Sequence, residues 1–486
     1  MVIAKAWFAD LRALVGTGAG YDRGLRPDDA PGVVGILAFE AAATMARLVS
    51  LHRALCEPEV LHLRSNTMRS QGVAYLNSTD QFLLFRLACA ESMDDLDRAA
   101  VAISRLGVRC RGALPRGFAN IYADLKAGEI IADPDRLGLG STPKAVEKRV
   151  RKMARYVAST ARLYAEMELL SELEASERKK EQQWRRYSGP IPMQKPIASD
   201  PLRLEIKSQR QRVRRLKEES LWSQSQEKVV DRMAKAAVSV FTRICAVFGQ
   251  FVPGLPTNRT GLRPRTYPIF TSKYSSGPME RPIPRESNIR NSAPILRTRE
   301  VMARSCTNWS EQLEAPPGTV GGSGLAQRYA NVIVLAERLH LTRAAGDGRV
   351  DREKAGEEAA LREELYGLLP VGLRVAVRAK LRECWRKDGG VVDEWLAKGW
   401  KEAVGRILGW LGPVAHDTVR WQEERNMDRQ LRFDTRPRAL LLQTLHFSDK
   451  EKAEAAIVEV LVGLSCVCWY EERRFDSSRP GFDEHD

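Results

Sequence analysis

The chain has 486 residues, 43% hydrophobic and 29% charged, and its 77 Lys and Arg against 62 Asp and Glu leave a formal net charge of +15. That length and apolar content can bury the cores of two or three domains, which excludes a wholly disordered chain, and the basic excess favours acidic partners such as nucleic acid, anionic lipid or acidic protein surfaces. Eight cysteines without a Cys-x-x-Cys pair read as thiols of a reducing compartment rather than as a disulfide framework.

No stretch reaches the roughly 18 to 20 uninterrupted apolar residues that a membrane-spanning helix needs. Residues 1–31 form an amphipathic N-terminal segment with Ile3, Trp7, Phe8, Leu11 and Leu14 at helical spacing. It lacks the apolar stretch of a secretory signal, and Val2 stands where N-myristoylation requires Gly. An intracellular, unsecreted protein is expected. Whether this helix docks on a core, lies on a membrane or serves as a presequence is open at this level.

From Gly35 to Leu55 the positions Leu37, Ala41, Met45, Leu48, Leu51 and Leu55 recur at three- and four-residue steps, the mark of a helix with one buried stripe. Further helices are expected over Asp80–Glu91, with Asp80 as N-cap, and over Met93–Arg109, so that 32–130 reads as an N-terminal helical domain. Next come two long helical stretches, Pro143–Tyr187 and Leu202–Phe248, separated by a Pro-rich turn. Residues 143–250 therefore read as a helical hairpin or short coiled coil. Residues 251–317 are rich in Pro, Ser, Arg and Asn and read as a disordered basic linker. Glycines at 318, 321, 322 and 324 then lead into a C-terminal helical domain over 318–470, including an apolar helical segment at Ala439–Leu445, and a polar tail follows over 471–486. The fold expected is all-α: two helical lobes plus a long hairpin, joined by a disordered linker.

Several motifs carry a resemblance. Gly35-Ile-Leu-Ala-Phe-Glu-Ala-Ala-Ala-Thr-Met-Ala-Arg-Leu-Val-Ser-Leu51 and Thr79-Asp-Gln-Phe-Leu-Leu-Phe-Arg-Leu-Ala-Cys-Ala-Glu91 are followed by Gly324-Leu-Ala-Gln-Arg-Tyr-Ala-Asn-Val-Ile333, Leu365-Tyr-Gly-Leu-Leu-Pro370, Trp410-Leu-Gly-Pro413 and Trp421-Gln-Glu-Glu-Arg425. In this order they resemble the plant PSK SIMULATOR-like proteins, which pair two domains of unknown function. The resemblance implies a plant protein that promotes growth in phytosulfokine-type peptide-hormone signalling, with nuclear or membrane-associated relatives and no established enzymatic activity. Relatives carry His where Arg328 precedes Tyr329, and the membrane-directed branch begins Met-Gly, which this chain does not.

Catalytic constellations are incomplete. Gly16-Thr-Gly-Ala-Gly20 lacks the preceding strand of a dinucleotide fingerprint, Gly138-Leu-Gly-Ser-Thr-Pro-Lys144 lacks the Gly-Lys-Ser/Thr ending of a phosphate loop, and Gly321-Gly-Ser-Gly324 reads as a tight turn into a helix. His416-Asp417 has the form of a metal pair, for which His340 and Asp449 are the further nominees, but a surface His is the better reading. Cys466 and Cys468 face different sides of a helix. Catalytic, cofactor-binding and metal residues are accordingly none, no cofactor or small-molecule substrate is expected, and the partners are other proteins.

Trp421, beside Gln422, Glu423, Glu424 and Arg425, is expected to be exposed, whereas Trp410 is expected in the core. The candidate partner-binding residues are Trp421, Arg425, Arg328 and Tyr329. Two basic clusters, Lys148, Arg149, Arg151 and Lys152, and Arg212, Arg214 and Arg215, are candidates for recognition by import receptors. The expected locations are the nucleus, the cytoplasm or the periphery of the plasma membrane. The competing readings are a nucleic-acid or anionic-membrane binder and, behind it, a metal-dependent hydrolase around His416.

Overall fold

A computed structural model describes residues 32–127, 142–187, 201–252, 309–344, 352–387, 394–425 and 431–477. Among them the regular elements are helical: α1 Ala38–Ala54, α2 Glu57–Ser65, α3 Gln71–Leu76, α4 Gln81–Gly107, α5 Ala113–Ala127, α6 Pro143–Tyr187, α7 Pro201–Glu219, α8 Gln226–Phe248, α9 Trp309–Gln312, α10 Ala326–Ala344, α11 Arg352–Leu368, α12 Val371–Lys387, α13 Glu394–Arg425 and α14 Lys450–Ser477. The all-α expectation holds. The segment 1–31, both glycine runs before residue 141 and most of the expected linker, 253–308, lie outside the described residues.

The chain divides into two compact units that do not follow chain order. One takes the described residues within Met1–Arg53, Asp95–Arg243 and Arg429–Pro437, the other those within Ala54–Asp94, Ile244–Asp428 and Arg438–Asp486. The contiguous domains expected over 32–130 and 318–470 are thus redistributed. The boundary at Asp94 falls inside α4, which is one helix where two were expected. The expected cap is present: Asp80 Oδ1 accepts from the backbone N–H groups of Phe82 and Leu83 at 2.9 and 3.2 Å.

In the first unit, α1 buries Ala41, Met45 and Leu48 of its predicted stripe. Phe39 sets its ring edge-on to Tyr164 at 5.3 Å and to Trp222 at 5.9 Å, and Tyr164 meets Phe433 at 5.7 Å. The helices α6 and α7 pair antiparallel, because positions descending along α6 meet positions ascending along α7. Glu177 binds Arg203 at 3.1 Å, Glu174 binds Arg210 at 2.9 Å and Glu166 binds Arg212 at 3.5 Å. The hairpin is therefore present, but its second arm is shorter than expected. It stops at Glu219, where Ser220 caps a 3₁₀ turn by accepting from Trp222 N and Thr160 Oγ1 accepts from Leu221 N at 3.3 Å, and the chain restarts as α8.

In the second unit, α10, α13 and α14 share one apolar core, with Ile333 and Ala336, Leu408 and Leu411, and Ile457 and Leu461 among the buried contributors, and Leu76 at the end of α3 joins it. A Cβ on Gly72 of α3 would lie 2.5 Å from the Trp410 carbonyl oxygen and 2.6 Å from Val414 Cγ2, so glycine is what allows this approach. The stretch Lys450–Arg473 of α14 is long and apolar enough to cross a membrane by length and composition, although most of its apolar part is buried inside the protein.

Three expectations are corrected within this unit. The last part of the linker, 309–317, is ordered: Trp309 is buried, and Thr319 Oγ1 donates to the Pro316 carbonyl at 2.7 Å. The tail expected from 471 begins inside α14, where Glu471 accepts from Arg343 at 2.8 Å and Glu472 from Arg362 at 2.6 Å. The segment Ala439–Leu445 is not an α-helix. It holds the 3₁₀ turn Leu441–Gln443 and enters a second, Leu445–Phe447, because its backbone is bonded outward: Asn77 Nδ2 donates to the Leu442 carbonyl at 2.7 Å and Leu445 N to Thr418 Oγ1 at 2.9 Å.

Candidate functional site

The best-defined polar cluster lies within the second unit and contains two of the candidate partner-binding residues. Glu91, on α4, is 3% exposed. Its Oε1 accepts from the Trp421 indole N–H at 3.0 Å and from Arg425 Nη2 at 2.5 Å, and its Oε2 accepts from Leu441 N at 2.7 Å. Trp421 and Arg425 are one turn apart on α13, and the guanidinium sits 4.2 Å above the indole. His446 stacks on Trp421 at 6.2 Å and bonds the Leu313 carbonyl through Nε2 at 3.0 Å. Burial foremost, with the charge of Arg425 beside it, holds the His446 imidazole below its ordinary pKa.

Trp421 is therefore half-buried and engaged within the chain, contrary to the expectation of an exposed anchor. The neighbouring polar letters pointed to solvent, but a buried carboxylate supplies the indole with its partner. Chemically the cluster is a clamp, since donors surround the carboxylate and burial closes it to a substrate.

Arg328 and Tyr329 part company. Arg328 is exposed and donates from Nε to the Leu368 carbonyl at 2.6 Å. Tyr329 is 1% exposed and donates its hydroxyl to Glu454 at 2.5 Å, so no partner reaches it in this conformation. Burial and the adjacent carboxylate push its phenol above the ordinary range.

The four residues considered for a metal do not converge. His416 Nε2 bonds Glu337 Oε2 at 2.5 Å, Asp417 accepts from Gln443 at 3.4 Å, and Asp449 Oδ1 caps the start of α14 by accepting from Lys452 N at 3.1 Å. His340 lies beside Gly405. Among the described residues no group of three or more His, Cys, Asp or Glu is placed to hold a metal ion.

Both basic clusters lie in the first unit. Lys148, Arg151 and Lys152 are exposed on α6, whereas Arg149 is half-buried, directing Nη1 to the Lys235 carbonyl and to Ser239 Oγ at 3.4 and 3.3 Å. On α7, Arg214 is exposed, Arg212 pairs with Glu166, and Arg215 pairs with Glu219 at 3.8 Å.

Another surface was not singled out from sequence. Tyr366, Val371, Val375, Trp385 and Trp395, on α11, α12 and the start of α13, are all exposed, Trp395 to 82%. Beside the valines run Arg374, Arg378, Arg382 and Arg386, each four residues from the next. That spacing was visible in the sequence, but its arginines are spread too thinly to register as a basic run.

The molecule is thus an all-helical protein whose best-defined polar clusters join helices to one another. Residues 36–92 match a family described as "Domain of unknown function (DUF3475)" and residues 319–420 one described as "Protein of unknown function (DUF668)". The chain is 26% identical over 451 residues to Protein PSK SIMULATOR 1 of Arabidopsis thaliana, covering 89% of this chain and 55% of that protein. It is 25% identical to Protein PSK SIMULATOR 3 of the same plant, covering 89% of this chain and 56% of that one. These matches support the plant PSK SIMULATOR-like family that the sequence motifs resemble. The chain spans little more than half the length of these curated relatives. No solved structure matches it.

Proposed function

We propose that the chain is a non-enzymatic plant regulatory or scaffold protein that promotes growth in phytosulfokine-type signalling, acting by binding other proteins. The family supports the regulatory setting. The mode of action rests on the solvent-facing apolar side chains of the second unit, Tyr366, Val371, Val375, Trp385 and Trp395, which burial in a partner would cover. The test is proximity labelling in plant cells with the full chain and with a Val371→Asp, Trp385→Ala, Trp395→Ala variant whose fold is verified by circular dichroism. Loss of a defined partner set together with the growth effect is expected. Retention of both overturns the reading, and stoichiometric metal with turnover, both lost in His416→Ala, would replace it with a hydrolase.

A second reading, binding to nucleic acid or an anionic membrane, is favoured by the +15 charge and the exposed cations of α6 and α7. It predicts association that weakens steeply with salt.

A further inference from the structure

We propose that the solvent face of α12 is a docking site for an acidic helical segment of a partner protein, an inference that rests on the protein-binding reading above. The sequence of α12 carries six basic residues, Arg374, Arg378, Lys380, Arg382, Arg386 and Lys387, against one acid, Glu383. Four of the six form a row. At 1.5 Å rise per residue, Arg374, Arg378, Arg382 and Arg386 recur about every 6 Å over about 18 Å. The adjacent row is Val371, Val375 and Ala379, with the two valines 75% and 60% exposed. A ridge of cations beside a ridge of short apolar side chains is thus presented to solvent.

The row is held in place at one end. Arg374 donates to the carbonyls of Tyr366 and Leu369, both at 3.2 Å, and lies 4.8 Å from the Tyr366 ring centroid. Arg378 donates to the Tyr366 hydroxyl and lies 5.9 Å from the same centroid. Lys380 is taken up by Glu459. Arg382 and Arg386 are exposed and form no ion pair among the described residues. Like charges four residues apart on a helix repel, so this row destabilises the free helix and gains from an anionic partner.

Carboxylates repeating every fourth residue along a second helix match the 6 Å step, and each guanidinium can hold one in a two-pronged bond. Apolar residues flanking those carboxylates would cover Val371 and Val375. A protein helix fits this face better than a bilayer does. Leu373, Val377, Leu381 and Cys384 anchor the opposite side of α12 in the core, and its exposed face offers Trp385 as a single large apolar side chain among cations and valines, whereas surface-lying membrane helices insert a continuous face of Leu, Phe and Trp. Duplex phosphates would require no neighbouring apolar row.

The full chain is titrated with a synthetic helical peptide carrying Glu at every fourth position beside a row of Leu, and with a shuffled peptide of the same composition. The ordered peptide is expected to bind at least about tenfold more tightly than the shuffled one, and Arg378→Glu, Arg382→Glu, Arg386→Glu to remove that preference. Val375→Asp, a single exposed change, is expected to weaken the ordered peptide should the triple variant fail to fold. Equal binding of the two peptides, or an unaffected triple variant, overturns the proposal. So does binding of phosphatidylserine vesicles or a short DNA duplex that the triple variant loses while peptide order makes no difference. If the proposal fails while the Val371→Asp, Trp385→Ala, Trp395→Ala variant still loses its labelled partners, the proposed function stands and only the acidic helical occupant is wrong.

Discussion

Glu91 and Trp421 lie 330 positions apart in the chain, yet the indole N–H of the second donates to the carboxylate of the first at 3.0 Å. Arg425 shares that carboxylate and has its Nη1 buried without an acceptor, so Glu91 carries the charge balance of the cluster. Removing either member of a buried pair costs about 3–5 kcal/mol, because the survivor stays desolvated and unpaired. Glu91→Ala and Arg425→Ala are each expected to destabilise by that order in chemical denaturation. The double variant Glu91→Leu, Arg425→Met should cost much less than the sum. Trp421→Ala should also lower Tm.

Gly72 and Gly367 are both helical glycines in opposite surroundings. A methyl group at 72 would press on the Trp410 carbonyl, whereas at 367 nothing lies within 4 Å. Gly72→Ala is expected to cost about 1–3 kcal/mol and Gly367→Ala to gain about 0.4–1 kcal/mol, opposite shifts of Tm in the same scan.

His446 makes the fold sensitive to mild acid. Its folded pKa lies below the ordinary value of 6.5, so the unfolded chain takes up a proton at a pH where the folded one resists it. The stability it contributes is complete above that value and is lost as pH falls below it. Tm should therefore drop between about pH 7.5 and about pH 5, and drop less in His446→Gln. His52 and His340, also lowered chiefly by burial, keep part of the slope in the variant. Asp417, raised chiefly by burial, acts in the opposite direction but is common to both proteins.

For nuclear accumulation, the exposed cations are the ones an import receptor can reach. Replacing Lys148, Arg151, Lys152, Arg214 and Arg215 with Gln, and leaving the half-buried Arg149 intact, is expected to reduce the nuclear fraction of a fluorescent fusion in plant cells. An unchanged fraction would assign these residues to the solvated faces of α6 and α7 alone.

Local signals in the sequence were readable because they are local. The stripe from Leu37 to Leu55, the cap at Asp80 and the antiparallel arms of α6 and α7 all follow from spacing and turn residues. What the spacing hid was long-range. Glu91 and Ser92 looked like a break between two helices, yet α4 runs through them because donors from residues 421, 425 and 441 satisfy the carboxylate inside the protein. For the same reason Trp421 looked exposed, and no periodicity could have placed the Tyr329 hydroxyl on Glu454.

The interleaving of the units also sets an order of events at the ribosome. Glu91 is synthesised some 330 residues before Trp421 and 350 before Leu441, an interval of roughly 20 to 70 seconds at ordinary elongation rates of about 5–20 residues per second. Through that interval Leu76 and Leu87 wait for partners the nascent chain does not yet contain, with their apolar surface open to chaperones or to other chains. A fragment ending near residue 130 would make that waiting state permanent, carrying the acid of the clamp without the donors from residues 421, 425 and 441.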